Sequence, residues 1–210
     1  KRALDEIDPE ETPEGRRPAL CGIVPGGVDG GLRRRSAEEI GEIGFPGYAA
    51  GGLSVGEPKD AFFEAVAFTA PLLPAERPRY LMGVGFPEDI LAGIASGFDL
   101  FDCVLPTRMA RNGTMLTTRG RLVVKNGTYA RDDRPPDPEC DCPACLRFSR
   151  AFIRHLFSVG EILALRLATL HNLRFYFRFM ERAREAIQAG AFSAWSAAFL
   201  ETYRSGEGVR

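Results

Sequence analysis

Leu100-Phe101-Asp102-Cys103-Val104-Leu105-Pro106 is a short apolar run broken by one carboxylate. Its length, with Pro106 as a stop, suits a buried strand better than a helix. Period-two alternation places Leu100, Asp102 and Val104 on one face. Three comparable runs precede it, at 18–24, 48–53 and 80–84. Between them lie amphipathic stretches at 32–43, 58–72 and 87–95, which read as helices, the last with Pro87 in its first turn. Continuous apolar strands separated by helices imply an α/β fold with parallel pairing and right-handed crossovers. Four βα units are half of an eight-fold barrel, which needs about 250 residues when whole.

Beyond this run the pattern changes. Residues 114–129 read as short alternating strands with turns, and Arg134-Pro135-Pro136-Asp137-Pro138 forms a loop leading to a cysteine cluster. The remainder is helical, at about 146–157, 160–188 and 193–203, with Gly190 as a stop signal. The expected division is a polar helix remnant or linker at 1–18, a half barrel at 19–113, a metal-binding subdomain with C-terminal helices at 114–204, and a tail at 205–210. Asn112-Gly113-Thr114 and Asn126-Gly127-Thr128 fit the glycosylation pattern but read as turns, since Asn-Gly favours tight hairpin geometry.

Three of the five cysteines crowd into Cys140-x-Cys142-x2-Cys145, and His171 follows 26 residues later on a long helix. Three thiolates and an imidazole make a closed tetrahedral zinc set, which is structural because no position is left for water. His155 is the rival fourth ligand, the chain having two histidines. A zinc deaminase needs His-x-Glu. Here His155 precedes Leu156 and Phe157, and His171 precedes Asn172 and Leu173, so that chemistry is excluded.

The formal charge of −1 is unevenly spread. Residues 1–100 hold 17 acids against 10 bases, and 101–210 hold 11 acids against 17 bases. All the bases except Lys1, Lys59 and Lys125 are arginines, whose planar fork suits phosphates and base edges, so a polyanion partner fits the second half. The longest apolar stretch, 61–73, is interrupted by Glu64 and Pro71, so no membrane span is expected. The first residues carry no apolar signal core, and a cytoplasmic protein is the expectation.

Asp102 admits two readings from its residues alone. A carboxylate near the C-terminal end of a barrel strand can be catalytic, for example as a nucleophile on an anomeric carbon. It can equally be neutralised by Arg108 or Arg111. A glycosidase acting on free sugars would need a second carboxylate, and Asp99 sits at the wrong end of the strand.

Several motifs occur together in one order. Phe101-Asp102-Cys103-Val104-Leu105-Pro106-Thr107-Arg108, with Arg111-Asn112-Gly113 just after, resembles the nucleophile motif of bacterial-type tRNA-guanine transglycosylases, the queuine/preQ1 enzymes. Gly51-Gly52-Leu53-Ser54-Val55-Gly56-Glu57 and Tyr80-Leu81-Met82-Gly83-Val84-Gly85 are similar to that family's base-pocket motifs, and the cysteine cluster with its spacing to His171 also matches. The likeness covers nearly all of residues 19–204.

The resemblance implies a (β/α)8 TIM-barrel-type fold, present here as its C-terminal four βα units, with a zinc-binding subdomain and C-terminal helices. It implies a pentosyltransferase of queuosine biosynthesis that exchanges guanine at the wobble position of tRNAs with a GUN anticodon for the preQ1 base. Asp102 would be the nucleophile, forming a covalent aspartyl-ribose intermediate. Gly52 would offer its N–H and Leu53 its carbonyl to the base, while Met82 stacks on the purine face and Gly83 lies close beneath. Arg108, Arg111, Asn112 and Gly113 would contact RNA, the two arginines reading the flanking uridines. Cys140, Cys142, Cys145 and His171 would bind the structural zinc. Val55 points to preQ1, because the eukaryotic members carry glycine there to admit the larger queuine.

Cys21-Gly22-Ile23-Val24-Pro25-Gly26-Gly27 matches a family motif in which the position of Pro25 is a glutamine that reads a polar edge of the purine. Proline has neither a side-chain amide nor a backbone N–H. Family members dimerise near the zinc subdomain, so a homodimer is expected, and an interface is the preferred reading of Trp195 and the Phe175/Tyr176/Phe177/Phe179 cluster. The family's N-terminal half supplies further strands and the acidic residues of acid–base catalysis, so these residues read as an excerpt of a longer protein. The alternative is a non-catalytic, zinc-stapled tRNA-binding subunit, or an inactive fragment, of the same fold.

Overall fold

A computed structural model describes residues 19–206 of the chain. The 1–18 linker and all of the tail beyond Gly206 lie outside the described residues. The chain forms two compact units, the first ending at Cys103 and the second beginning at Val104.

The first unit alternates strand and helix: β1 (Cys21–Val24), α1 (Gly30–Gly41), β2 (Gly47–Ala50), α2 (Lys59–Thr69), β3 (Arg79–Leu81), α3 (Pro87–Ser96) and β4 (Leu100–Phe101). The strands form one sheet in the order β1-β2-β3-β4, every pairing parallel, as the apolar strand and amphipathic helix rhythm requires. Tyr48, Ala49, Ala50 and Leu81 are buried in the sheet, and Phe62, Ala65, Val66 and Thr69 on α2 pack inward. Burying a side chain the size of Phe62 stabilises the unit by about 1.5–3 kcal/mol. Asp29 caps α1, its carboxylate accepting from Leu32 N–H at 2.8 Å. Gly97, at φ +100°, closes α3 in the left-handed conformation. Lys59 and Asp89 form an ion pair joining α2 to α3.

The strands are shorter than the apolar runs that announce them: β1 pairs only over the last four residues of its run, while the runs of β2, β3 and β4 pass into loop at their C-terminal ends. Asp102 is therefore not on a buried strand face. It lies past the end of β4 and is exposed.

The second unit contains α4 (Leu105–Arg111), a hairpin of β5 (Thr114–Thr117) and β6 (Gly120–Val123), and the helices α5 (Pro143–Arg147), α6 (Arg150–Ser158), α7 (Ile162–Gln188) and α8 (Phe192–Arg204). Neither Asn-Gly pair makes the hairpin turn. Asn112-Gly113 ends α4, Asn126-Gly127 opens a short 3-10 helix, and the turn falls between the paired residues Thr117 and Gly120. Gly120 takes φ +97° there.

Two aromatic residues of α7 pack inside the chain. Phe175 and Phe179 are buried, with ring centroids 6.3 Å from Tyr203 and 4.9 Å from Phe199 respectively, and Trp195 lies 6.0 Å from Phe179. This corrects the interface reading for those rings, whose partners are on α8. Phe177, on the other side of α7, is exposed. Among the described residues no helix is long and apolar enough to cross a membrane.

Candidate active site and candidate metal centre

The C-terminal ends of the four parallel strands are joined in series by hydrogen bonds that continue the ladder into the loops. Gly51 N–H donates to Val24 O at 3.1 Å, and Met82 N–H to Ala50 O at 3.2 Å. Gly83 N–H donates to Asp102 Oδ1 at 2.8 Å, and Tyr80 O–H donates to the same oxygen at 2.6 Å. The structure thus brings together, at one end of one sheet, the segments carrying Pro25, Gly52, Leu53, Met82, Gly83 and Asp102.

Each position has a local reason. Gly52 (φ +69°) and Gly83 (φ +73°) occupy the left-handed region, which a side chain would strain. Both are exposed, as is Pro25, and Met82 is half-buried. Leu53 buries its side chain, and Val55 is exposed. Glu57 clamps the β2 loop, accepting from Ser54 N–H and from Val55 N–H. Burial works against its charge, but the N–H groups of Glu57 itself, Ser54, Val55 and Gly56 outweigh burial and hold the carboxyl below its usual range.

Asp102 is held by a phenol and a backbone amide rather than by an arginine. The bond to Asp102, followed by partial burial, pushes the Tyr80 phenol up to about 12. Tyr80 stands in a quoted motif but drew no role of its own from the sequence, because it resembles an ordinary strand aromatic. Arg33 drew none either. Its side chain is fully buried, donating from Nε to Gly27 O at 2.6 Å, from Nη2 to Gly51 O at 3.1 Å and from Nη1 to Val24 O at 3.5 Å. In an Arg-Arg-Arg run at 33–35, nothing local distinguishes it from its exposed neighbours. Asp99 accepts from Arg79 N–H at 2.8 Å, a structural bond at the other end of β4.

In the second unit Arg108 and Arg111 lie exposed on α4. Asn112 follows exposed, and Gly113 is buried at φ +79° against the Lys125 stem.

Cys140, Cys142, Cys145 and His171 are all buried, and their candidate ligand atoms lie within 4.8 Å of one another. His171 Nδ1 is 3.2 Å from Cys145 Sγ and 3.5 Å from Cys142 Sγ. Ligands of a tetrahedral zinc are separated by roughly 3.5–3.8 Å, so the set fits such an ion. His171 Nε2 lies 2.6 Å from Leu116 O, and donating there leaves Nδ1 free of its proton and directed at the sulfurs. Hydrogen bonds from Cys140 and Cys145 outweigh burial and draw the Cys142 thiol down to about 3, aided by the N–H groups of Cys145 and Ala144 at the start of α5. His155 is exposed on α6 and is not part of the cluster.

Asn172, the residue after the imidazole, was not anticipated. It is fully buried, its Oδ1 accepting from Leu116 N–H at 2.8 Å and its Nδ2 donating to Pro106 O and Thr114 O, both at 3.0 Å. His171 and Asn172 together grip both polar groups of Leu116. Asp137, also buried, accepts from Thr118 N–H at 2.9 Å and from Glu139 N–H at 3.0 Å, shaping the approach to Cys140.

The family model described as Queuine tRNA-ribosyltransferase matches residues 1–205. The chain belongs to that family. Curated proteins named queuine tRNA-ribosyltransferase are similar to it over most of its length. The one from Pelotomaculum thermopropionicum is 55% identical over 185 residues, covering 88% of this chain and 50% of the relative. That from Caldanaerobacter subterraneus is 55% identical over 187 residues, 89% of this chain and 50% of the relative. That from Solidesulfovibrio magneticus is 55% identical over 196 residues, 93% and 52% respectively. The chain spans about half the length of these relatives. Membership in the queuine tRNA-ribosyltransferase family agrees with the α/β architecture and with a cysteine–histidine cluster able to hold a metal ion.

Proposed function

We propose that this chain carries the nucleophile and base-pocket loops of a tRNA-guanine transglycosylase, which exchanges guanine at the wobble position of GUN anticodons for preQ1 in queuosine biosynthesis. One observation carries the reading. Asp102 is an exposed carboxylate beside the C-terminal ends of parallel strands, oriented through Oδ1 by Tyr80 and Gly83. Oδ2 is then the attacking oxygen. Its lone pair bonds to C1′ of the target ribose while the glycosidic bond breaks, and its electrons leave with guanine, which takes a proton from a general acid. Family acidic residues outside the matched span are proposed to supply that acid. The incoming base gives up a proton, its ring nitrogen attacks C1′, and the Asp102 ester bond breaks to restore the carboxylate. Two displacements preserve the configuration.

In this reading Gly52 N–H and Leu53 C=O hold the base, Met82 stacks on it, and Gly83 leaves room beneath. Arg108, Arg111, Asn112 and Gly113 contact the unstacked anticodon RNA. Residues 19–113 are half of a (β/α)8 barrel and 114–204 the metal subdomain, with a structural zinc on Cys140, Cys142, Cys145 and His171. A second copy of the chain is the proposed partner near that subdomain, where Leu146, Phe152, Leu170, Leu173 and Phe177 leave apolar surface in solvent. The setting is the cytoplasm.

Pro25 favours a second reading, a non-catalytic tRNA-binding subunit or inactive fragment, because it offers no donor to the base. The protein carrying this chain, mixed with a wobble-guanine anticodon stem-loop, is expected to form a denaturation-resistant adduct that Asp102→Asn abolishes. An adduct that survives Asp102→Asn overturns the nucleophile. Stem-loop binding by the parent without any adduct favours the second reading.

A further inference from the structure

We propose that Arg33 is the positioning residue of the base pocket, holding the β1 and β2 loops in fixed relation through carbonyls of both. The inference rests on the transglycosylase reading, which gives those loops the task of binding the base. A guanidinium is costly to bury, and burial lowers the Arg33 pKa, opposed by the charge of Glu57. Arg33 is nevertheless fully buried, and it donates to three main-chain carbonyls rather than to a carboxylate. Two acceptors, Val24 O and Gly51 O, lie where β1 and β2 end, and the third, Gly27 O, lies in the turn after Pro25. Val24 O also receives Gly51 N–H, so guanidinium and amide close one junction between the loops.

The turn is built around this side chain. Gly26 adopts φ +143°, and a Cβ there would stand 2.7 Å from Arg33 Cγ and 2.9 Å from Arg33 N. A Cβ on Gly52 would stand 3.9 Å from Gly27 N, so the two loops run side by side. The base-facing groups proposed above, Gly52 N–H and Leu53 C=O, directly follow the carbonyl that Arg33 holds. A planar fork reaches three carbonyls at fixed angles, and a lysine ammonium does not. Arg33 touches neither ribose nor base in this arrangement. Its effect passes through the loops, and is expected in base recognition rather than in the displacement at C1′.

The test uses the protein carrying this chain, with Arg33→Lys and Arg33→Ala beside the parent and Asp102→Asn. For Arg33→Lys the KM for the incoming base is expected to rise about 10-fold or more, while kcat and the dissociation constant for the tRNA stem-loop change by less than about 3-fold. For Arg33→Ala, millimolar guanidinium is expected to recover base binding where sodium chloride at equal ionic strength does not. An unchanged base KM in folded Arg33→Lys overturns the proposal, as does a proportional loss of every parameter with no guanidinium rescue. The transglycosylase reading fails separately: base exchange that persists in Asp102→Asn removes it whatever Arg33 does.

Discussion

Replacing Asn172 by leucine keeps the branched skeleton of a fully buried side chain, with bulkier methyls, but deletes three hydrogen bonds. Leu116 N–H loses its acceptor, and an unsatisfied buried donor costs about 1–3 kcal/mol. Pro106 O and Thr114 O lose the donor they share, but each keeps a second lone pair, so together they add about 1 kcal/mol. The added apolar contact and the strain of fitting bulkier methyls oppose each other and roughly cancel, leaving a net loss of about 3 kcal/mol. In a unit of roughly a hundred residues that lowers the melting temperature by about 12–24 °C. Thermal unfolding with metal present measures the shift, and hydrogen exchange at the Leu116 amide measures the cause. A shift under about 4 °C, or a Leu116 amide as protected as in the parent, would refute the reasoning.

Tyr80→Phe removes one of two donors to Asp102 and is expected to slow the proposed base exchange about 5- to 30-fold, the worth of about 1–2 kcal/mol. Unchanged turnover would show the phenol to be idle. The Tyr80 phenol lies at about 12 in the folded protein against about 10 in an unfolded chain, so it is raised. The stability it lends is complete below about pH 10 and is lost as pH rises through about 12. Ultraviolet titration should therefore find a phenol ionising near 12 that is missing from Tyr80→Phe. Chelation, or Cys142→Ser, should remove the bound metal and lower the melting temperature of the segment holding α7 and the β5–β6 hairpin. Metal analysis alongside calorimetry checks this, and a melting curve indifferent to chelator would count against a structural ion.

What could be read from the sequence divides along a physical line. The strand–helix rhythm, Pro87 at the start of α3 and Gly190 after α7 are local signals, and the structure places each where the pattern does. The Cys140–Cys145 spacing was equally legible, since a metal demands clustered soft ligands whatever the fold. Asp102 stood out because a carboxylate interrupts an apolar run, but its surroundings were misjudged. Periodicity cannot tell where a strand stops being paired, and β4 ends one residue earlier. Tyr80, Arg33 and Asn172 were missed for one reason: each acts on main-chain groups or a carboxylate 6–66 residues away in sequence. Composition and spacing do not record such distances. The α7 rings illustrate the complementary error, helical spacing having revealed a packed face without naming its partner.

Adjacent residues on a helix point about 100° apart. In α7 two such neighbours serve different masters, His171 turned toward sulfur and Asn172 toward a hairpin backbone. The phase of this helix is therefore locked twice. An insertion of one residue between Ile162 and His171 would swing both side chains off target together, and one of seven, close to two full turns, would restore their direction but carry them about 10 Å along the axis, away from both partners. Anyone transplanting the cysteine loop into another scaffold must carry both the helix phase and the hairpin with it.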